Sequence, residues 1–204
     1  MDSLLSDEER RTLLRLARAA IGQRLCGDRR LDSALEGSEI TAALEHRRGL
    51  FVTLKKSAPA GSASTGPVLR GCIGIMESSE PLYRTAIDTA PKAAFEDPRF
   101  PPLAIDELDS IWIGVSVLTP MSPVKDWREI VVGRDGVQLR RELYRSVFLP
   151  QVAAEQGWDR ERLLSQLALK AGLASDGWRS ADLFTFQAES FAEPAPAPHS
   201  PGGG

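Results

Sequence analysis

The apolar positions near the start of the chain repeat at helical spacing. Ser6 followed by Glu9 is the sequence pattern of a capping box, and apolar residues then recur every three or four positions. Gly27 is placed to end this helix. Residues 28–48 are charged and loop-like, with a short helix predicted around 40–45. The pattern therefore predicts one long helix followed by an irregular segment.

Continuous and alternating apolar runs predict strands and helices along the rest of the chain. The predicted strands are 49–55, the run around Cys72, 111–119, 127–132, 136–141, 147–149 and 181–191. The predicted helices are 81–95, 151–157 and 159–171. Arg134-Asp135-Gly136 predicts a tight turn that pairs 127–132 with 136–141, because Asp-Gly favours hairpins.

Strand pairs followed by helices occur twice, around 49–95 and around 111–171. This order predicts an α+β fold in which helices pack outside one largely antiparallel sheet. We assign residues 1–193 to a single domain with two lobes. Residues 194–204 are rich in Pro, Ala and Gly, which predicts a disordered tail.

The overall composition is that of an ordinary globular protein. Of 204 residues 42% are hydrophobic and 26% charged, and the net charge of -3 gives no basic face for nucleic acid. No apolar run is long enough to cross a membrane, and the acidic start lacks a secretory signal, so we expect a cytoplasmic protein. Cys26 and Cys72 should then be free thiols. With only His46 and His199 as histidines, we predict neither a metal site nor a cofactor.

The segment 68–76, Val-Leu-Arg-Gly-Cys-Ile-Gly-Ile-Met, carries the most specific chemistry. Gly71 and Gly74 bracket Cys72, and Arg70 stands in front of them. Glycine inside a strand marks a bulge or a close approach by a ligand or another backbone. A guanidinium beside a thiol could hold a small anionic molecule next to a polarizable sulfur.

Cys72 has two interpretations, which the sequence leaves open. It is either a catalytic nucleophile or a small side chain that fills a tight core position. Regular strand alternation would place Arg70 on the same face as Cys72, unless a bulge breaks the register. Classical cysteine-protease chemistry is disfavoured, because His46 is the only plausible base and lies in a charged loop.

Arg70 also has two interpretations. A guanidinium in an apolar strand needs an anionic partner, which would be either an internal carboxylate, such as Asp97 or Glu96, or a substrate carboxylate or phosphate. Asp97-Pro98-Arg99 forms a rigid corner after the predicted helix. It either ends that helix and docks it, or places Asp97 and Arg99 in the same cleft as Arg70.

Leu69-Arg70-Gly71-Cys72-Ile73-Gly74 resembles the signature of the AMMECR domain family, whose bacterial members are the A proteins of the AmmeMemoRadiSam system. Supporting matches lie at 51–56, 94–103, 115–120, 132–136, 148–153, 157–158 and 170–173. The resemblance implies an α+β fold with two lobes and a pseudo-repeated arrangement of strands and helices. It also implies work with a Memo-type protein and a radical SAM protein, and a side chain of Gln151 that points at a ligand.

Three positions depart from the family pattern. Gly114 stands where many relatives carry an acidic residue, Asp135 where many bacterial relatives have histidine, and Ala168 where they have cysteine. Two functions therefore remain open. The chain is either an enzyme or enzyme component that binds a small anionic metabolite in a cleft lined by Arg70 and Cys72, or a non-catalytic adaptor in which this strand is structural.

Overall fold

The computed structural model describes residues 3–58 and 66–194, and these residues divide into two compact units. The first unit is Met1–Val117 with Glu189–Gly204, and the second is Leu118–Ala188. The helices are α1 (Asp7–Cys26), α2 (Arg30–Glu36), α3 (Ala42–Glu45), α4 (Leu82–Phe95), α5 (Pro150–Glu155) and α6 (Arg160–Lys170). The strands are β1 (Leu50–Lys56), β2 (Val68–Ile75), β3 (Ile111–Leu118), β4 (Ser122–Pro123), β5 (Gly136–Arg141), β6 (Tyr144–Phe148), β7 (Asp182–Phe186) and β8 (Ala188–Ala192).

The N-terminal helix has the ends that the sequence predicts. The Ser6 hydroxyl accepts a hydrogen bond from the Glu9 N–H at 3.3 Å, and the Glu9 carboxylate accepts one from the Ser6 N–H at 2.7 Å. Gly27 caps the C-terminus with a left-handed φ of 67°. The prediction of a wholly irregular segment before α3 was wrong, because α2 lies there. That helix buries no side chain, so no apolar stripe signals it.

The sheet of the first unit has the strand order β2-β1-β3-β8, and β1 pairs antiparallel with both β2 and β3. Leu50, Val52 and Leu54 of β1 are completely buried in one cluster with residues of α1 and α4. The alternate residues of β1, Phe51, Thr53 and Lys55, therefore lie on the opposite face of the sheet. This alternation separates an apolar core face from a polar face.

The sheet of the second unit has the order β4-β7-β5-β6. The predicted hairpin at Asp135-Gly136 was wrong, since Trp127–Glu129 forms a 3-10 helix instead of a strand. β5 pairs with β6 across a turn at Glu142, which has a φ of 54°, and with β7 on its other side. Asp135 accepts a hydrogen bond from the Val131 N–H at 2.8 Å, so its carboxylate stabilises the preceding loop.

The mixed α+β class with antiparallel strands is confirmed, with two sheets in place of one. The predicted strand 181–191 is in fact two strands, β7 and β8, which belong to different sheets and are separated by Gln187. Of the predicted tail, residues 195–204 lie outside the described residues. Within the described parts of the chain, no helix has the length and apolar character that crossing a membrane requires.

Candidate functional site

Cys72 lies on the polar face of the first unit's sheet, directly opposite Thr53 of β1. Its sulfur is 3.3 Å from the Thr53 hydroxyl oxygen, and the side chain is half-buried. The neighbouring Gly71 faces α4, so alternation turns Cys72 away from the core cluster. The interpretation of Cys72 as a residue that fills the main core is therefore not supported by its position.

The backbone of Cys72 is capped at the free edge of the sheet. β2 is an edge strand, and the N–H and C=O of Cys72 both point away from β1. The Cys72 N–H donates to a carboxylate oxygen of Asp97 at 2.8 Å, and a guanidinium nitrogen of Arg99 donates to the Cys72 carbonyl at 3.3 Å. The Asp97–Arg99 corner thus takes the place of a neighbouring strand and blocks further pairing at this point.

Asp97 and Arg99 also form a strong ion pair. Two guanidinium nitrogens of Arg99 donate to the Asp97 carboxylate, at 2.7 and 2.9 Å. These bonds, aided by the Cys72 and Arg99 N–H groups, hold the pKa of Asp97 well below its usual range although burial opposes the charge. The Asp97 side chain is 2% exposed and that of Arg99 is 55% exposed. The Arg99 guanidinium is therefore exposed to solvent, while the Asp97 carboxylate that holds it is buried.

Arg70 forms an ion pair within the chain, but its partner is neither Asp97 nor Glu96. Its guanidinium donates to the two carboxylate oxygens of Glu107 at 2.9 and 2.8 Å, and to the carbonyls of Pro101 and Pro102 at 3.0 and 3.3 Å. The expected pairing with Asp97 or Glu96 was wrong. With its side chain 5% exposed, Arg70 is committed to this internal cluster.

A register shift explains why Arg70 and Cys72 separate. Leu54 pairs with Gly71 and Lys55 pairs with Leu69, so Arg70 is the extra residue of a β-bulge. The bulge directs Arg70 toward Glu107, which Lys56 also contacts at 3.2 Å. The strand therefore places its guanidinium and its thiol in different surroundings, in contrast to regular alternation.

Glu107 makes the stability of the first unit sensitive to acid. The hydrogen bond from Arg70 lowers the pKa of Glu107 from 4.5 to about 2, against the effect of burial. A lowered native pKa adds stability above the unfolded value, and this is lost as the pH falls from about 4.5 toward 2. We expect the urea midpoint to fall over that range. Glu107→Gln should flatten the profile, whereas Glu45→Gln, at an exposed site, should leave it unchanged.

The two signature glycines are explained by contacts within the chain. A Cβ on Gly71 would lie 2.1 Å from the carbonyl oxygen of Ala93 in α4. A Cβ on Gly74 would lie 2.3 Å from the ring of Phe51. Both glycines permit close approach, as predicted, by backbone and by an aromatic ring of this chain.

Two charged side chains, Lys55 and Arg99, belong to the elements next to the Thr53–Cys72 pair. Lys55 is exposed, lies on the same face as Thr53, and has no carboxylate within ion-pair distance in the described part of the chain. The pKa of Arg99 is raised by its hydrogen bond to Asp97 and, to a smaller extent, by the Cys72 side chain. We call Cys72, Thr53, Lys55 and Arg99 the thiol cluster.

Sequence reasoning missed some of these residues. Glu107 follows an irregular segment, and nothing in the chain pattern connects it to Arg70. Thr53 could have been found, because pairing β1 with β2 places it near Cys72. Gln151 lies in α5 of the second unit with an exposed side chain, so its predicted role stays a prediction. No group of three or more His, Cys, Asp and Glu among the described residues could hold a metal ion.

Comparison with known proteins places the chain in a family. The AMMECR1 family model matches residues 14–191. A protein of Thermofilum pendens is 42% identical over 202 residues, which cover 94% of this chain and 93% of that protein. A protein of Methanothermobacter thermautotrophicus is 40% identical over 197 residues, which cover 93% of this chain and 96% of that protein. The crystal structure of the uncharacterized protein PH0010 from Pyrococcus horikoshii superposes with a TM-score of 0.78, at 35% identity, covering 95% of this chain and 96% of that chain. The chain belongs to the AMMECR1 family.

Proposed function

We propose that this chain is a small-anion-binding enzyme or enzyme component whose ligand docks at the thiol cluster. The observation that carries the proposal is Arg99, which is fixed by the buried Asp97 carboxylate and by the Cys72 carbonyl, yet remains more than half exposed. A guanidinium held in this way can bind a carboxylate or phosphate with little loss of side-chain entropy. Lys55 adds a second positive charge on the same face.

The thiol cluster supports anion binding better than it supports a complete reaction. The reactive form of cysteine is the thiolate, and forming it requires a base that takes the thiol proton. Among the described contacts, the Cys72 sulfur touches only the Thr53 hydroxyl, and no imidazole or carboxylate reaches it. A general base would therefore come from the ligand or from another protein. Work with Memo-type and radical SAM proteins is part of the proposal and rests on the resemblance to the bacterial A proteins.

A non-catalytic adaptor is the second candidate, and it too has a specific observation in its favour. Arg70, Gly71 and Gly74 all contact groups of this same chain. Three of the six signature positions are then explained by folding alone. In this alternative the strand is a structural element, and partner proteins dock on the surface that it supports.

The charge around Cys72 can be tested with two alkylating reagents. Iodoacetate is an anion and iodoacetamide is neutral. We expect the ratio of their labelling rates, iodoacetate to iodoacetamide, to be several-fold higher at Cys72 than at Cys26, because Arg99 and Lys55 attract the anion. Peptide mapping of the folded protein gives both rates in one sample. Lys55→Gln and Arg99→Gln should each reduce this preference at Cys72.

Two comparisons decide between the candidates. Arg47→Gln removes the same charge from an exposed residue outside the thiol cluster and should leave the preference unchanged. Lys55→Gln disturbs no described ion pair, so its effect does not depend on the stability of the Asp97–Arg99 corner. Equal preference at Cys72 and Cys26, or labelling of Cys72 only after unfolding, would favour the adaptor.

A further inference from the structure

A cavity in the second compact unit has the features of a ligand site. It has a volume of about 340 Å³ and lies beside β4, β7 and the two 3-10 helices that carry Trp127 and Trp178. All of its lining residues belong to the second unit, so it shares no residue with the thiol cluster. We call it the Trp178 pocket. Its volume is at the lower end of the range found for small-molecule sites.

The charged groups that line the Trp178 pocket are two basic residues and one acidic residue, Lys125, Arg179 and Asp182. All three are exposed, and in the described part of the chain none of them forms an ion pair with another side chain. By contrast Arg128, on the same 3-10 helix as Trp127, pairs with Asp126 at 3.3 Å and does not line the pocket. The pocket therefore carries an excess of one positive charge that nothing described compensates.

Trp178 supplies an unused hydrogen-bond donor at the pocket. The residue is 4% exposed, and its indole makes no hydrogen bond with any described residue. No fully enclosed polar side-chain atom of the described residues lacks a partner, so the indole N–H has access to solvent. Buried tryptophan normally pairs this N–H, and Trp178 lines the pocket. Trp178 is thus a lining residue of the pocket with an unpaired and solvent-accessible N–H.

The aromatic rings are held in place around this donor. Trp127 and Trp178 meet edge to face with ring centroids 5.2 Å apart. The Arg179 guanidinium lies 4.4 Å from the centroid of the Trp178 ring, which fixes it close to the pocket. Phe184 and Leu183 of β7 also line the cavity. Positively charged side chains, aromatic side chains and a tryptophan with an unpaired N–H therefore line one small cavity.

We propose that the Trp178 pocket binds a small organic anion, a carboxylate or phosphate monoester that carries an apolar group. Lys125 and Arg179 contact the anionic group, the Trp178 N–H donates to one of its oxygens, and the apolar group packs against Phe184. The proposal does not depend on the thiol cluster and gives the second unit a binding function of its own.

The test follows the indole N–H signals of the four tryptophans in a two-dimensional NMR titration of the whole chain. Benzoate and phenyl phosphate are the probes, and neutral benzyl alcohol is the uncharged reference. We expect a saturable shift of the Trp178 signal with at least one anion and none with the alcohol. A response to benzoate alone identifies a carboxylate ligand, and a response to phenyl phosphate alone identifies a phosphate monoester.

Three substitutions test which of the basic side chains contribute to binding in the pocket. Lys125→Gln and Arg179→Gln should each weaken binding of the probe about tenfold, because each removes one charge-assisted contact. Arg128→Gln removes a matched cation that stacks on Trp127 at 4.9 Å outside the pocket, and it should leave affinity unchanged. The proposal is overturned if neither anion shifts the Trp178 signal saturably, or if Arg128→Gln weakens binding as much as Arg179→Gln.

Discussion

Arg70→Met is expected to lower the free energy of unfolding by about 3 kcal/mol, because it leaves a carboxylate without its main partner in a mostly buried cluster. Methionine preserves much of the apolar volume of the arginine stem, so the loss reports the guanidinium rather than a cavity. Glu107 keeps contacts with Lys56 at 3.2 Å and with the Ala104 N–H at 3.1 Å. The carbonyls of Pro101 and Pro102 lose their donors as well.

Urea denaturation followed by circular dichroism measures this loss, and Arg11→Met is the matched control. Arg11 pairs with Glu8 at 2.7 Å, but the side chain of Arg11 is 68% exposed and that of Glu8 is 71% exposed. Such surface pairs contribute between about 0 and 1 kcal/mol. The double variant Arg70→Met with Glu107→Met should be more stable than Arg70→Met alone, since no charge then remains unpaired. If Arg70→Met lowers the free energy of unfolding no more than Arg11→Met does, the Arg70–Glu107 cluster does not stabilise the fold. Arg70 is then again a candidate for binding a ligand.

Local patterns in the sequence were sufficient for the elements of the first unit that have strong local signals. The Ser6–Glu9 capping box and the apolar runs at 49–55, around Cys72 and at 111–119 predicted α1 and the strands β1, β2 and β3 of the first sheet. Where the local pattern was weak or ambiguous, the predicted elements were wrong. α2 has no buried face, and 127–132 has an apolar composition but pairs with no strand. The stretch 181–191 mixes apolar and polar residues without a Gly or Pro, so nothing in it marked the break at Gln187 between β7 and β8.

The candidate site was predictable only in part, because its chemistry depends on distant contacts. The two glycines signalled a close approach, and the structure identifies the approaching groups as Ala93 and Phe51. Alternation predicted that Arg70 and Cys72 share a face, but a single bulged residue separates them. The pairing of Arg70 with Glu107 joins positions 37 residues apart, and local propensity carries no information about such a contact. The sequence singled out the Asp97–Arg99 corner, which contacts the backbone of Cys72, and its role in ligand binding stays a prediction.

Gly71→Ala is expected to lower the free energy of unfolding by about 3 kcal/mol, because an added methyl group must push α4 away from β2. The new Cβ would lie 2.1 Å from the Ala93 carbonyl oxygen and 3.2 Å from its carbon, and both are backbone atoms that cannot rotate aside. α4 ends at Phe95, two residues before Asp97. A shift of the helix would therefore also move the corner that caps Cys72. Urea denaturation measures the loss of stability, and the preference of Cys72 for iodoacetate, which should fall, reports the shift of Arg99.

Gly114→Ala provides the matched control on the same sheet. A Cβ on Gly114 would find its nearest atoms at 3.7 Å, an ordinary contact, and the residue has no positive φ. Both substitutions reduce the entropy of the unfolded chain equally, which by itself stabilises by about 0.4–1 kcal/mol. Gly114→Ala should therefore be neutral or slightly stabilising and should leave Cys72 labelling unchanged. If Gly71→Ala behaves like Gly114→Ala, α4 can yield at this point, and the close approach of helix and strand does not position the thiol cluster.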